Sequence, residues 1–351
     1  DSSTSRGLGD VYKRQERNPS DKRLRLTYAR QLVELGRMDE ARGEFSSLLQ
    51  QFPEDDDLRF SLALVCLEAE AWREAIVYLE ELIQRDAHVD PAQYNLGRAH
   101  EALGEVDDAL LAYSMVGGGT DYLPAQARMT DLLVANGRSA EASRHLAEAR
   151  DSEPEYALQL YLIEAESLSK QNKADQAWNL IQQALKQYPG DINLLYTRAM
   201  LAEPRGDLKQ LERDLRLILE REPDNAMALN ALGYTLVDRT DRHQEGLELI
   251  QKAHDLNPED PAILDSLGWA NYRLGNLAAA EKWLRQAFER FPDHEVAAHL
   301  GEALWAQGKQ REARKIWRDA LKEQPESEIL RSTVLRPVSY THLTLPTNRE
   351  V

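Results

Sequence analysis

Residues Ala262 to Pro292, AILDSLGWANYRLGNLAAAEKWLRQAFERFP, decide the fold because they predict two amphipathic helices joined by a turn at Leu274–Leu277. Leucines and Phe288 recur at helical offsets of three, four and seven residues, so both helices have an apolar side. Gly275 tolerates the left-handed backbone that ends a helix, and Pro292 stops the second helix. Small residues stand where the two helices have to approach closely, at Gly268, Ala280 and Ala287. A hairpin of this size cannot bury its apolar side alone, so the stretch predicts stacked copies of itself.

A ladder of helix-stopping positions repeats this hairpin along the chain. Successive positions are 33 to 35 residues apart, and the ladder encloses nine repeats. Its positions are Pro19, Pro53, Ala87, Asp121, Pro154, Pro189, Pro223, Pro258, Pro292 and Pro325. A glycine in the middle of the repeat and an alanine early in the second helix stay in phase with the ladder. The period predicts an all-α, right-handed superhelical solenoid of about nine helical hairpins.

Three local departures from the repeat carry structural predictions. Gly117-Gly118-Gly119 replaces the end of a second helix, and at about 1 kcal/mol per helical glycine it should end that helix at Val116. We interpret these glycines as a candidate hinge, with a merely longer turn as the open alternative. Pro204 should shorten a first helix, and Gly246 stands where alanine is usual.

The repeats divide into two segments. Segment 16–122 holds repeats 1–3, and segment 123–326 holds repeats 4–9.

Both ends of the chain differ from the repeats. Residues 1–15 and 338–351 have no helical period and resemble translated adaptor sequence, so we expect them to be foreign flanks. Residues 327–337 are the expected end of the native sequence and a candidate start of a capping helix. A signal peptide or a lipid-attachment cysteine would then be missing, and the lack of a targeting signal carries no information.

Charge and cysteine content restrict the classes of partner. The chain of 351 residues has a formal net charge of −17, which argues against nucleic acid or an anionic membrane surface as the main partner. Its single cysteine, Cys66, lies among apolar residues and is expected to be a small core residue. No run of 18 apolar residues occurs in the sequence.

The sequence lacks the usual motifs of catalysis and ligand binding. GxxxxGK[ST], HExxH, GxSxG and paired CxxC do not occur, so phosphate-loop, zinc-protease, hydrolase and zinc-ribbon interpretations have no basis. His294 and His299 are five residues apart and share no helix face, so we expect them at the surface or in a groove rather than on a metal. We predict no catalytic residue, no cofactor and no metal, and therefore no enzyme.

The first helices of stacked hairpins form a concave wall that suits extended peptide segments. In each first helix we count from the small residue of the Leu-Gly pair, which is Ala199, Gly233, Gly268 or Gly301. Positions three before, one after and four after it are expected to lie opposite the packed side of the helix. This spacing selects a candidate protein-binding groove of Tyr196, Met200, Asn230, Tyr234, Val237, Asp265, Trp269, Tyr272, Glu302 and Trp305. Aromatic side chains bury large areas at low entropic cost, which suits a binding surface. The alternative for each groove residue is packing between adjacent hairpins. Second helices carry Trp178, Trp283 and Trp317, which we expect either to pack between hairpins or to face the convex side.

The repeat unit resembles the tetratricopeptide repeat (TPR) over about Asn18 to Gln324. Its matching positions are Leu267-Gly268, Tyr272, Gly275, Ala280, Leu284, Ala287 and Pro292. The C-terminal third has a more specific resemblance. NALGYTLVDRTDRHQEGLELI, LNPEDPAILDSLGWANYRLG and EVAAHLGEALWAQGKQREARKIW are similar to bacterial outer-membrane TPR lipoproteins that act as adaptors for a periplasmic carboxyl-terminal processing protease.

This resemblance implies a function and a location. We expect a non-catalytic scaffold, lipid-anchored at the periplasmic face of the bacterial outer membrane, that brings the processing protease and its substrates together. Its partners would be proteins or extended peptide segments, with no nucleic acid, and it would meet the membrane only through a lipid anchor absent from this chain. A scaffold in secretion, pilus or envelope assembly is one alternative, and the regulatory arm of an enzyme whose catalytic domain is missing is another. A cytoplasmic location is the alternative to the envelope.

Overall fold

The repeats fold as a succession of antiparallel helix pairs. The structure is a computed structural model that describes residues 21–338, with side chains up to residue 334. Within these residues the chain forms nineteen α-helices and no β-strand, which confirms the predicted all-α fold. The chain divides into two compact units between Leu180 and Ile181, inside the tenth helix.

The two units share one hairpin design. The first unit contains α1 (Lys22–Glu34), α2 (Met38–Gln51), α3 (Asp56–Glu68), α4 (Trp72–Gln84), α5 (Val89–Ala102), α6 (Val106–Ser114), α7 (Tyr122–Ala135), α8 (Ser139–Ser152) and α9 (Ala157–Lys170), and the boundary crosses α10 (Ala174–Gln187). The second unit contains α11 (Ile192–Ala202), α12 (Leu208–Arg221), α13 (Ala226–Arg239), α14 (His243–Leu256), α15 (Pro261–Arg273), α16 (Leu277–Arg290), α17 (His294–Ala306), α18 (Gln310–Glu323) and α19 (Glu328–Val338). Odd-numbered helices from α1 to α17 are the first helices of the nine predicted repeats, and even-numbered helices are the second helices.

The hairpin α15–α16 shows how local chemistry sets the helix boundaries. The carboxylate of Asp260 caps α15 by accepting hydrogen bonds from the backbone N–H of Ala262 at 2.8 Å and of Ile263 at 3.2 Å. Pro261 occupies the first turn, where no hydrogen-bond donor is needed. Gly275 has φ +81°, the left-handed conformation that ends α15. The predicted turn between two helices is therefore confirmed.

The core of the first unit is built from side chains inside and between its hairpins. Leu32, Leu62 and Leu79 are fully buried within it. Cys66 is also 0% exposed, so its predicted role as a small core residue is confirmed. Burial, with a contribution from the nearby carboxylate of Glu74, raises the pKa of the Cys66 thiol to about 12, which leaves it protonated and unreactive at neutral pH.

The glycine-rich segment of the first unit ends α6 early. The helix stops at Ser114, two residues before the expected end at Val116. Gly119 begins a short 3-10 helix, Gly119–Asp121, that leads into α7. The backbone N–H of Gly117 donates to Oδ1 of Asp90 at 2.8 Å, so the side chain of α5 holds the turn. Whether Gly117, Gly118 and Gly119 act as a hinge stays a prediction.

The other departures from the repeat have steric reasons. The helix before Pro204, α11, has 11 residues, whereas the other first helices have 13 or 14, which confirms the expected shortening. A Cβ atom added at Gly246 on α14 would lie 2.5 Å from the backbone oxygen of Gly233 on α13. These helices approach so closely that alanine does not fit at Gly246.

The described chain ends with a helix that packs on the last hairpin. In α19, Leu330 is 0% and Val334 is 7% exposed, and both belong to the apolar cluster around Trp317. This helix occupies the segment for which the sequence predicts the start of a capping helix. The predicted flank 1–15 lies outside the described residues, as does all of the predicted flank 338–351 except Val338, the last residue of α19. Among the described helices, we find none with the length and apolar character needed to span a bilayer.

Candidate protein-binding face

Glycines hold the first helices of the second unit against their second helices. A Cβ atom added at Gly268 on α15 would lie 2.4 Å from Cγ of Leu284 on α16. At Gly301 on α17, an added Cβ would lie 2.0 Å from Nε1 of Trp317, which is 1% exposed on α18. These contacts fix the side of each first helix that packs inside its hairpin, because only hydrogen fits there. Positions three before, one after and four after each glycine lie roughly 40–100° around the helix from it, so they form the flank beside this packed side and not the opposite side that the sequence spacing suggested.

An aromatic stack joins α15 to α17 on that flank. The ring centroids of Trp269 and Tyr272 are 4.9 Å apart, and those of Trp269 and His299 are 4.2 Å apart. Nε1 of Trp269 donates to Oδ1 of Asp238 at 3.1 Å, which ties the stack to α13. Trp269 is 5% exposed, whereas Tyr272 is half-buried. Trp269 therefore supports the stack from within, and Tyr272 carries its accessible edge.

A buried carboxylate and imidazole complete this arrangement. Nδ1 of His299 lies 3.0 Å and 2.9 Å from the two carboxylate oxygens of Asp265, and both residues are buried. Burial opposes protonation of His299, but the charge and hydrogen bonding of Asp265 outweigh it and raise the pKa of the imidazole above its ordinary value. The pair thus links α15 to α17. We term Tyr234, Asp238, Asp265, Trp269, Tyr272 and His299 the aromatic-acidic cluster.

Tyr234 adds a phenol to the cluster from α13. Its ring centroid lies 6.3 Å from that of His299. Burial, together with the negative charges of Asp238 and Asp265, raises the pKa of Tyr234 well above its usual range. The phenol therefore stays protonated at neutral pH and keeps its hydrogen-bond donor.

The predicted groove residues fall into two classes of exposure, half-buried and buried. Half-buried side chains, which a ligand can touch, are Tyr196, Met200, Asn230, Tyr234, Tyr272, Glu302 and Trp305. Asp265 and Trp269 are buried inside the aromatic-acidic cluster. Val237 is 0% exposed, and the prediction that it lines the groove is wrong. It packs toward Gly246, since a Cβ at Gly246 would lie 2.6 Å from Cγ2 of Val237. That the half-buried residues bind a protein stays a prediction.

Two residues of the cluster escaped the sequence reasoning. His299 was expected at the surface or in a groove, and it is 5% exposed because Trp269 covers its ring. Asp238 was given no role, although it accepts the indole N–H. One sequence signal was available, since Asp265 and His299 are 34 residues apart, the length of one repeat. Residues one repeat apart lie on adjacent first helices and can form a pair there. Trp317 packs in the core, as expected.

Three side chains of the first unit are close enough to coordinate one metal ion. The ligand atoms of His100, Glu105 and Asp108 lie within 4.8 Å of one another. Glu105 already pairs with Arg73 and with the imidazole of His100. The group also sits at the N-terminus of α6, where the helix dipole disfavours positive charge. We assign no metal to it, and the expectation of no metal and no cofactor stays a prediction.

Family comparisons agree with the repeat pattern. Three family models, each described as tetratricopeptide repeat, match one or more parts of the chain. Their matches are residues 26–90, 128–192 and 239–295 for one, 66–117 for another and 299–327 for the third. Two solved structures share the fold alone, since their sequence identities are below 20%. Yeast Tom70 is 14% identical with a TM-score of 0.54, covering 96% of this chain and 86% of that chain. A tetratricopeptide repeat protein from Parabacteroides merdae is 17% identical with a TM-score of 0.51, covering 62% and 86%.

Two curated bacterial proteins are similar in sequence over part of their length. The TPR repeat-containing protein PA4667 of Pseudomonas aeruginosa is 63% identical over 214 residues, which are 61% of this chain and 36% of that protein. Bacteriophage adsorption protein A of Escherichia coli K12 is 36% identical over 93 residues, which are 26% of this chain and 9% of that protein. The chain therefore spans about a third or less of the length of these relatives.

Proposed function

Because the chain belongs to the tetratricopeptide repeat family, we propose that it is a non-catalytic scaffold that binds an extended protein segment on the first helices of its second unit. The observation that carries this proposal is the aromatic-acidic cluster. Its rings are stacked and held by carboxylates before any ligand arrives. A preorganised aromatic surface loses little entropy on binding, so more of the contact energy appears as affinity.

The half-buried residues beside the cluster supply the polar contacts that such a segment needs. Within the described residues, the side-chain oxygen Oδ1 of Asn230 is buried and accepts no hydrogen bond. Asn230 lies one helical turn before Tyr234 on α13, and both side chains are half-buried. Rotation of the half-buried Asn230 side chain would bring this oxygen to a backbone N–H of the ligand, while Tyr234 and Tyr272 cover an apolar side chain.

Paired substitutions at the accessible rings test this surface. We expect Tyr234→Ala with Tyr272→Ala to weaken partner binding by about tenfold or more, because two hot-spot rings are removed. Leu256→Ala is the matched control, since Leu256 is 47% exposed on the second helix α14. Trp269→Ala is unsuitable, because emptying a site that is 5% exposed costs about 3–5 kcal/mol of stability. Equal partner affinity in the tyrosine variant and the control would refute binding at this face.

The specific role we infer is that of an adaptor at the periplasmic face of the outer membrane. The similarity of residues 230–317 to lipoprotein adaptors of a carboxyl-terminal processing protease supports it. Such an adaptor holds protease and substrate together and raises their effective concentration, which requires two binding surfaces and no catalytic residue. The test is co-purification of the intact native protein with the purified processing protease. Failure to co-purify at micromolar concentrations would refute the adaptor role without contradicting the general scaffold function.

A scaffold in envelope assembly is the second candidate. The similarity to Bacteriophage adsorption protein A favours it, although the match covers only 9% of that protein. Both candidates place the native protein in the envelope, so membrane fractionation of the full-length gene product tests them together. Recovery in the cytoplasmic fraction would remove both. Deleting the gene separates them, because an adaptor predicts accumulation of uncleaved protease substrates, whereas an assembly scaffold predicts loss of the assembled structure.

A further inference from the structure

A cleft lies among the last two hairpins, and none of its lining residues belongs to the aromatic-acidic cluster. It has a volume of about 780 Å³ and is lined by α16, α17 and α18. Its apolar lining comes from Phe288 on α16, Leu300 on α17, and Ile316 and Ala320 on α18. Pockets that hold ligands measure about 300–1,000 Å³, so the cleft can accept a large side chain.

The apolar lining is accessible from outside. Phe288 and Ile316 are half-buried within the described chain, so part of each faces the opening. Phe291 follows one turn after Phe288 and is 57% exposed beside Pro292, which also lines the cleft. An aromatic ring left this open next to an apolar cleft marks a surface that gains from being covered.

The rim of the cleft is acidic. Its charged lining has four carboxylates and two cationic side chains. The carboxylates are Glu289, Glu312, Asp319 and Glu323, and the cations are Arg285 and Lys315. Arg285 is occupied by two carboxylates, those of Glu281 at 2.8 Å and Glu312 at 2.7 Å. Glu289 and Glu323 form no ion pair within residues 21–334. The rim therefore presents carboxylates whose charge a ligand can neutralise.

We propose that this cleft docks a segment of a partner protein that carries one large apolar side chain flanked by lysine or arginine. The apolar side chain fills the space between Phe288 and Ile316, and the flanking cations meet Glu289 and Glu323. Charge complementarity selects this occupant. A second copy of this chain has a net charge of −17 and would meet the acidic rim with like charge, and an anionic membrane would be repelled in the same way.

This cleft is separate from the surface of the proposed function, and its test does not depend on that surface. The full chain is immobilised, and a library of random short peptides is displayed on phage and selected against it. We expect the enriched peptides to combine an aromatic or long aliphatic residue with neighbouring lysine or arginine. Synthetic copies of these peptides are then titrated by fluorescence anisotropy. They should bind the Tyr234→Ala, Tyr272→Ala variant as tightly as the parent chain.

Charge reversal at exposed positions supplies a variant that folds. We expect Glu289→Lys with Glu323→Lys to weaken peptide binding by about tenfold, and high salt to weaken binding to the parent chain. The matched control reverses exposed acids near the ends of two other second helices, Glu220→Lys on α12 and Asp255→Lys on α14. Ile316→Ser should also weaken binding, because it removes apolar contact.

Four outcomes would overturn the proposal. These are the enrichment of no peptide, the enrichment of acidic peptides, equal binding by the rim variant and its control, and Ile316-dependent dimerisation of the chain in light scattering. The last would assign the cleft to a second copy.

Discussion

The substitution Gly246→Ala tests whether close helix contact, rather than helix propensity, controls the second unit. Alanine is the residue that most repeats of this chain place at the equivalent position, and Ala280 occupies it in α16. The structure nevertheless leaves no room for a methyl group on α14. An added Cβ would lie 2.5 Å from the backbone oxygen of Gly233 and 2.6 Å from Cγ2 of Val237.

The expected cost follows from these contacts. The carbonyl of Gly233 belongs to the backbone of α13 and cannot rotate away, so the two helices have to separate. Overpacking of this kind costs about 1–3 kcal/mol, and a backbone neighbour places the cost near the upper end. The gain in helix propensity from glycine to alanine returns about 1 kcal/mol. We therefore expect Gly246→Ala to destabilise the hairpin α13–α14 by about 1–2 kcal/mol.

Gly43 on α2 provides a control with the opposite sign. Gly43 is an exposed position in the middle of α2, and an added Cβ would meet no heavy atom within 4 Å. Gly43→Ala then changes only helix propensity and should stabilise α2 by about 0.5–1 kcal/mol. The same chemical change thus has opposite effects at two second-helix positions.

Hydrogen exchange of backbone amides is the appropriate measurement. Stacked repeats unfold in parts, so one global free energy of unfolding does not describe them. A destabilisation of about 1–2 kcal/mol accelerates exchange in α13 and α14 by roughly 5- to 30-fold. Exchange in these helices that is as slow as in the parent chain, or slower, would show that the hairpin can relax and that our steric reasoning is wrong.

Three further predictions concern titration and the glycine turn. Because the pKa of His299 is raised, its protonated form stabilises the second unit below about pH 6.5, and this stability is lost as pH rises through the folded-state pKa. Thermal melts across this range should show the loss in the parent chain and not in His299→Gln. Burial opposes ionisation of Glu281, but hydrogen bonds from Lys309 and Arg285 lower its pKa from 4.5 to about 2. Its stabilisation is therefore present above pH 4.5 and lost as pH falls toward 2, so Glu281→Gln should flatten the acid limb of the melting profile. Asp90→Ala should speed exchange of the Gly117 amide, and an unchanged rate would show that this hydrogen bond does not hold the turn.

The sequence predicted the features that depend on contacts within one repeat. The turn around Gly275, the shortening before Pro204 and the close approach at Gly268 all follow from the local sterics of glycine and proline. The early end of α6 was missed by two residues. Met115 is 57% exposed and Val116 stays 2% exposed outside the helix, so burial here does not require a last helical turn against the three glycines that follow.

The candidate site could be predicted only in part, because it depends on contacts between repeats. Spacing from Gly268 gives the direction in which Trp269 points. It does not give the residues of neighbouring helices that contact the indole. Asp238, 31 residues earlier, and His299 on the next first helix enclose the indole. Val237 was assigned to the groove by the same spacing and turns instead toward the close approach at Gly246. A rule counted along one helix cannot anticipate either result.

The tight seams inside the hairpins would fix the spacing between the two proposed binding surfaces. Gly268 faces Leu284 across one seam, and Gly301 faces Trp317 across the next. On α15, Trp269 and Tyr272 lie on the flank beside the seam, while on α16 Phe288 lies one turn beyond Leu284 and lines the cleft. Since each seam tolerates no added atom, the first-helix and second-helix surfaces are held in fixed register within the unit. A scaffold that brings two proteins together needs this rigidity, because effective concentration depends on a fixed separation between its binding surfaces.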